Sequence, residues 1–344
     1  MKVLVTGASG FLGSHIVDAC LEKGHKVRVI VRPSSDLSYL NTLKDQIEIL
    51  SGDFTDADFL AQAMESLDAV IHSAARVTDT GHRDLFVEAN VTITEKLMAV
   101  ARHKGVSRFV FVSSPSVVAE LKGQENIDET YPFPDTFLNY YCETKAIAEQ
   151  KVISANGHDF ITCSLRPRAI WGPRDTSGPF VKFMKKMQQG KLKDLSGGRK
   201  IYSSICYVKN AAEACVAALT ANNIGGKTYF ITDEEIVDLW QFADQMADAF
   251  QIPGVGKPAP LSLVSAIVNI IEVLWKFPYL RDNVSPPLSK YSLGLITHTA
   301  TYSIENAKRD LGYQATIKQA QAIAEYRDWV NRIGGIDTYL RGVG

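Results

Sequence analysis

The sequence predicts an α/β fold, a doubly wound parallel sheet followed by a smaller, mostly helical C-terminal lobe. Three observations carry that prediction. Short β-branched runs alternate with longer amphipathic stretches through the first half of the chain. A glycine-rich loop directly follows the first run and directly precedes the first helical stretch. The alternation weakens after Pro167, and from about residue 233 the pattern is mostly helical. Strands that alternate with helices indicate βαβ units and a parallel sheet buried on both faces.

In order, strands are expected at Lys2–Thr6, Lys26–Val31, Ile47–Leu50, Ala69–His72, Arg108–Ser113 and Phe160–Leu165. Helices are expected between them, near 12–23, 36–44, 56–66, 84–103 and 141–155. Segment 172–200 holds Gly, Pro and many lysines. A helix at 209–221 and a short strand at Thr228–Ile231 then look like a return to the sheet. Proline clusters at 252–260 and at Pro286–Pro287 punctuate the remainder. The expected organisation is a nucleotide-binding domain of residues 1–166, rejoined by 201–232, and a substrate lobe of 167–200 and 233–344. No repeat of fixed period and no low-complexity tract is visible.

Composition narrows the function. At 344 residues the chain can bury a large core, and 46% hydrophobic with 22% charged residues is ordinary for a globular protein. A net charge of −1 gives no reason to expect nucleic acid or an anionic membrane as the main partner. The cysteines at 20, 142, 163, 206 and 215 are odd in number and form no C-x-x-C, which fits a reduced, cytoplasmic setting. The histidines show no H-E-x-x-H or H-x₃-H spacing, so no metal site is expected. The chain enters its first strand by Val3, which leaves no room for a signal peptide.

The glycine loop reads TGASGFLG over residues 6–13, with Gly7, Gly10 and Gly13 spaced G-x-x-G-x-x-G. One glycine permits the tight turn, one lets the backbone approach a pyrophosphate, and one allows close helix–strand packing. The helix that follows offers free N–H groups and partial positive charge to phosphate. Between a strand and a helix, this loop predicts dinucleotide binding.

A second stretch, LNYYCETKAIAEQ over 138–150, places two tyrosines just ahead of a lysine. On a helix, Tyr141 and Lys145 share a face, whereas Tyr140 pairs with Thr144. A lysine beside a phenol favours the phenolate and lowers its pKa, one way to build an acid/base that works near neutral pH. Taken alone, the pair reads first as a solvated lysine beside a half-buried tyrosine, because Tyr-x-x-x-Lys is common by chance.

The end of the second strand selects between cofactors. An NAD enzyme usually carries an acid there to bond the ribose hydroxyls. Here the stretch is VIVRPSS, with Arg32 in that place and Ser34 and Ser35 following. A guanidinium forks onto oxyanions and suits a 2′-phosphate. NADP(H) is therefore the expected cofactor, with NAD(H) as the alternative.

The loop form T-G-x-x-G-F-x-G resembles that of the extended short-chain dehydrogenase/reductase family. Further segments resemble that family in the same order: GDFTD at 52–56, HSAA at 72–75, Asn90 within EANVT, FVSSPSV at 111–117, YCETK at 141–145 and LRPRAIWGP at 165–173. The resemblance covers most of the chain and implies a Rossmann-like fold. It implies that Tyr141 is the catalytic acid/base, that Lys145 is its partner and holds the nicotinamide ribose, and that Ser114 hydrogen-bonds the substrate oxygen. Tyr140 becomes a packing or substrate-facing neighbour. By the same resemblance the cofactor set comprises Gly7, Ser9, Gly10, Phe11, Leu12 and Gly13 in the loop, Asp53 and Phe54 by the adenine, and Ser73, Ala74 and Ala75 along the pyrophosphate and ribose. It also takes in Asn90, with Pro167 and Ile170 bordering the nicotinamide.

Several marks of the family's nucleotide-sugar enzymes are missing. Ala169 stands where they carry an Asn, Ser203 where they carry an Arg, and Val117-Val118-Ala119 where they read V-Y-G. Lys209 replaces their usual acid, a change with no functional reading. LRPRAIWGP instead resembles the 3β-hydroxysteroid dehydrogenase branch, which includes sterol-4-carboxylate 3-dehydrogenases and 2-alkyl-3-oxoalkanoate reductases. That branch implies a ketone/alcohol oxidoreductase acting on a small, lipid-like, hydrophobic substrate. The alternatives are a nucleotide-sugar epimerase or dehydratase, and a non-catalytic cofactor sensor. Sensors of that kind have lost the Tyr/Lys pair, which is present here. A homodimer is implied by resemblance only.

Two stretches remain. Leu261–Phe277 carries Ser262, Ser265, Asn269, Glu272 and Lys276 at spacings of 3, 4, 3 and 4, one narrow polar stripe on an otherwise apolar helix. This predicts a wall or lid over a lipid-like substrate, with core burial, a membrane-surface contact or a dimer contact as alternatives. A membrane-spanning segment is not expected. The run Lys182, Lys185, Lys186, Lys191 and Lys193 reads as a solvated helix face, with attraction of an acidic substrate the alternative.

Overall fold

The computed structural model describes residues 1–78, 81–275, 277, 279–280 and 288–343; side chains at 261, 263 and 272 lie outside that description. The first half alternates as expected. Its elements are β1 (Lys2–Thr6), α1 (Phe11–Glu22), β2 (Lys26–Val31), β3 (Ile47–Ser51), α2 (Ala57–Ala63), β4 (Ala69–His72), α3 (Arg83–Phe86), α4 (Ile93–His103), β5 (Arg108–Val112), β6 (Gln124–Ile127), α5 (Tyr140–Ser154) and β7 (Ile161–Pro167). There follow β8 (Ile170–Trp171), α6 (Pro179–Gln188), β9 (Tyr202–Ser204), β10 (Cys206–Tyr207), α7 (Val208–Ala217), β11 (Lys227–Ile231), β12 (Ile236–Asp238), α8 (Leu239–Phe250), α9 (Leu261–Leu274) and β13 (Ala300–Tyr302).

Seven strands form one sheet in the order β11-β7-β5-β4-β1-β2-β3, and every described pairing in it is parallel. This is the doubly wound Rossmann-like arrangement, with its topological switch between β1 and β4. Strand periodicity builds the two cores. Val3 and Val5 pack with Ile16, Val17 and Cys215 on one face, while Leu4 packs with Leu97, Phe109 and Val152 on the other. Crossover helices cover both faces, so the strands read as continuous apolar runs.

A second sheet, in the order β12-β9-β13-β6, and the pair β10-β8 lie outside the main sheet. Residues 201–232 thus give β9 to the small sheet and β11 to the large one, and β6 joins the small sheet from the first half of the chain. The lobe has its own core around Trp171, Tyr207, Phe242 and Tyr326.

Two local expectations change. The helix near 36–44 is only a 3₁₀ turn at Leu40–Leu43. The Asp36 carboxylate accepts from both the backbone N–H and the hydroxyl of Ser38, and such local bonds compete with helix formation. The helix expected over 84–103 contains a π-helical stretch at Val87–Thr92, which holds Asn90.

Helix α9 is apolar on two sides. Val268 is buried and Val264 packs on the lobe core, while Ile267, Ile270, Val273 and Leu274 are exposed. Lys276, the side chain of Glu272, and Pro286 and Pro287 fall outside the described residues. No described helix is long and apolar enough to cross a membrane.

Candidate active site

The glycine loop turns at the carboxyl end of β1. Gly7 has φ +70°, and a Cβ there would stand 2.7 Å from Ala74 N and 2.9 Å from Ser73 Oγ. A Cβ on Gly13 would come within 2.0 Å of Gly7 O, so the helix can start only without one. Gly10 differs. Its Cβ would meet Gly7 O at 3.2 Å and nothing else within 4 Å. Gly10 and Ser9 are exposed, and Gly10 caps α1 with no side-chain bond to the free N–H groups of the first turn. A backbone cradle open on one side at a bare helix N-terminus fits a dinucleotide pyrophosphate. Phe11 and Leu12 are half-buried against the lobe core.

Arg32 directly follows β2 and is exposed, with its carbonyl closing a turn to Ser35 N at 2.9 Å. Asp53 is exposed beyond β3, its carboxylate accepting from Thr55 N at 2.8 Å. The Phe54 ring is committed to the core, which leaves its backbone for contact with a ligand.

After β4, Ser73 Oγ donates to Thr6 O at 2.8 Å and Ala74 N donates to Thr6 Oγ at 3.2 Å. Ala75 is half-buried beside them. Asn90 is buried and spends its amide on the protein. Its Oδ1 accepts from Arg76 N at 2.7 Å, and its Nδ2 donates to Thr144 Oγ at 3.1 Å. It thereby ties the loop after β4 to α5.

His72, which had no role in the sequence reading beyond its place in HSAA, completes this network. Its ring is buried, with Nδ1 2.6 Å from Thr6 Oγ and Nε2 2.9 Å from Thr94 Oγ. Thr94 Oγ donates to Asn90 O at 2.7 Å, so it can only accept from the ring. The Nε2 therefore carries the proton and Thr6 donates to a bare Nδ1. Burial, reinforced by the charge of Lys145, pushes the His72 pKa down to about 3 and keeps the ring neutral. The sequence signal for it was a histidine ending an otherwise apolar buried strand.

The remaining groups gather where β5 ends and α5 begins. Ser114 caps a 3₁₀ turn at Pro115–Val118, its Oγ accepting from Ser116 N at 3.2 Å and keeping its own proton to donate. Ser113 Oγ is buried with no hydrogen-bond partner. Asn139 caps α5 by accepting from Cys142 N at 2.9 Å, which fixes the first turn that carries Tyr141. Burial pushes the Tyr141 phenol up to about 12, and the nearby hydroxyls of Ser114 and Ser116 pull the other way. Lys145 is buried, its Nζ 2.6 Å from Val112 O and 3.9 Å from the Phe111 ring centre. Burial draws the ammonium down to about 7 against the opposing pull of Glu149.

The lysine therefore does not lower the phenol's pKa as the helical spacing suggested. Its ammonium is turned into a backbone carbonyl, and burial of the phenol prevails. Tyr140 is exposed, against Phe86 at 6.2 Å. Pro167 is buried at the end of β7, and half-buried Ile170 touches both the sheet core and the lobe core.

A parallel sheet with a phosphate cradle beside its switch point defines a dinucleotide-binding α/β protein. The sequence model of the 3-beta hydroxysteroid dehydrogenase/isomerase family matches residues 4–260. A 3 beta-hydroxysteroid dehydrogenase/Delta 5-->4-isomerase of Mycobacterium tuberculosis is 34% identical over 342 residues, covering 94% of this chain and 89% of the relative. A 2-alkyl-3-oxoalkanoate reductase of Stenotrophomonas maltophilia is 33% identical over 323 residues, covering 91% and 94%. The crystal structure of gox2253 superposes with a TM-score of 0.77 at 25% identity, covering 97% of this chain and 98% of that one. The chain belongs to the 3-beta hydroxysteroid dehydrogenase/isomerase family. It is an NAD(P)-dependent oxidoreductase acting on CH–OH groups.

Proposed function

We propose that the protein interconverts a ketone and a secondary alcohol on a lipid-like substrate, of 3-oxo acid or 3β-hydroxysterol type, using NADP(H) and the set Ser114, Tyr141 and Lys145. The observation that carries this reading is that Ser114 meets Tyr141, and Lys145 reaches Val112 O, at the carboxyl end of β5, on the same edge of the parallel sheet as the glycine cradle. A bound nicotinamide would supply or accept the hydride. Tyr141, raised to about 12, is protonated at neutral pH and gives its Oη proton to the substrate oxygen during reduction. Ser114 donates a second hydrogen bond to that oxygen and stabilises its developing charge. Lys145, buried one turn along the same helix with its Nζ donating to Val112 O, would hold the nicotinamide ribose.

Arg32 supports NADP(H), because an exposed guanidinium at the end of β2 suits a 2′-phosphate. The lipid-like substrate is supported by the missing nucleotide-sugar marks at Ala169 and Ser203 and by the names of the relatives. A cytoplasmic setting is supported by five buried free thiols.

The test is a panel of sterols, long-chain 3-oxo acids and nucleotide sugars, followed by NADPH absorbance. Turnover of a 3-oxo acid or a sterol is expected. Turnover of nucleotide sugars alone, without net NADPH consumption, would overturn the reading.

A further inference from the structure

Arg168 follows β7 by one residue and is only 9% exposed. Its Nε is buried with no hydrogen-bond partner, and among the described residues no carboxylate pairs with it. Arg166, two residues earlier, is just as buried, but Glu149 answers it with bonds of 2.5, 3.0 and 3.2 Å. The two arginines therefore differ in kind. One charge is neutralised inside the protein and the other is not, and a buried charge without a partner is destabilising.

The neighbour that Arg168 does have is the hydroxyl of Tyr302, a neutral group. The Tyr302 ring packs tilted against Phe230, with ring centres 4.6 Å apart, and belongs to one cluster with Phe230, Val117, Val118 and Ala146. Those residues adjoin the site: Val117 lies three positions after Ser114, and Ala146 directly follows Lys145. Strands β5 and β7 run side by side, with Ser113 N donating to Leu165 O at 2.7 Å. Both carboxyl ends therefore open to the same crevice, where ligands bind in doubly wound folds. Ala169, with φ +44°, turns the chain immediately afterwards.

We propose that Arg168 receives the carboxylate of the substrate, and so selects a 3-oxo or 3-hydroxy acid over a neutral sterol. This deepens the reading of Ser114, Tyr141 and Lys145 as an oxidoreductase site and rests on it. In such an acid the carboxylate stands one carbon away from the reacting centre, so a guanidinium fork fixes which end and which face of the substrate meets Tyr141. No bond to the carboxylate forms or breaks. In the oxidative direction the carbinol C–H gives hydride to NADP⁺, the hydroxyl proton goes to the Tyr141 phenolate, and the products are the 3-oxo acid, NADPH and a proton. Arg168 acts on specificity and touches only the end of the substrate that does not react.

The test uses the purified full chain, NADP⁺, and a chemically stable pair, 3-hydroxydecanoate and its methyl ester. The ester keeps the chain and removes the charge. The wild type is expected to show kcat/KM at least tenfold higher for the acid, expressed mainly in KM. In Arg168→Gln the acid-to-ester ratio of kcat/KM should fall at least tenfold, and Arg168→Lys should restore part of it. An equal preference for acid and ester in the wild type, or an unchanged ratio in Arg168→Gln, overturns the proposal. If Arg168→Gln fails to fold, inhibition of the wild type decides. Decanoate should inhibit at least tenfold more tightly than decanamide, and equal inhibition overturns the proposal. If the wild type oxidises a 3β-hydroxysterol but neither member of the pair, Arg168 is not a carboxylate site and the oxidoreductase reading stands. If it oxidises no alcohol, both fall together.

Discussion

Lys145 makes a prediction about stability that is separate from catalysis. In the unfolded chain its ammonium titrates near 10.5, and in the fold burial draws it down to about 7. Each tenfold change in proton affinity corresponds to about 1.4 kcal/mol. Holding the charged lysine buried therefore costs on the order of 5 kcal/mol at pH values below 7. Between about pH 7 and 10.5 the unfolded chain binds more protons than the native one at this site, so its contribution to stability improves as pH rises. Lys145→Met removes the titration along with the bond to Val112 O. Urea unfolding of both proteins should show the variant gaining on the wild type toward acid pH. The gap should close at up to about 1.4 kcal/mol per pH unit through the window from 7 to 10. Cofactor must be absent, since a bound ligand adds its own linkage. A difference that stays constant from pH 6.5 to 10 would refute the claim that Lys145 is held as a depressed, buried base.

Other predictions follow from the same geometry. Arg32→Ala should weaken NADPH binding by about 1.5–3 kcal/mol, tenfold or more, and NADH by much less, measured by fluorescence titration; equal losses would mean that Arg32 does not read the 2′-phosphate. Gly10→Ala should lower cofactor affinity with the Tm nearly unchanged, because its Cβ meets only Gly7 O at 3.2 Å, whereas Gly13→Ala should lower the Tm itself, because its Cβ would sit 2.0 Å from Gly7 O. His72→Phe keeps the ring but strands the Thr6 hydroxyl, at a cost of about 1–3 kcal/mol. Part of that loss should be absent when the change is made on a Thr6→Val background, and full additivity in urea unfolding would show that the two groups are not coupled.

Much of the architecture was legible because it rests on patterns that extend over many residues. The strands at Lys2–Thr6, Lys26–Val31 and Ala69–His72 lie where the apolar runs placed them. The helix at Tyr140–Ser154 lies within a residue of the expected stretch at each end, and Asn139 supplies its cap. The small sheet was not legible. Strands of three residues such as Tyr202–Ser204 and Ala300–Tyr302 are too short to show periodicity, and Ala300 pairs with Ser203 and Gln124, both far away along the chain. Spacing put Tyr141 and Lys145 on one face of a helix, but the direction of the lysine depends on Val112 O, a backbone atom from a distant strand. The contrast between Arg166 and Arg168 was invisible for the same reason, because only the fold shows that Glu149 reaches one and not the other.

The central claim is that Tyr141, and not its neighbour, moves the proton. The direct measurement is kcat for reduction of an active ketone by Tyr141→Phe and Tyr140→Phe, alongside the NADPH dissociation constant of each. Tyr141→Phe should lose about 10²–10⁴-fold in kcat, the range for a removed general acid, with NADPH affinity nearly intact. Tyr140→Phe, an exposed ring resting on Phe86, should change kcat by no more than a few fold. Equal losses at the two positions, or a Tyr141→Phe enzyme that keeps its turnover, would contradict the account.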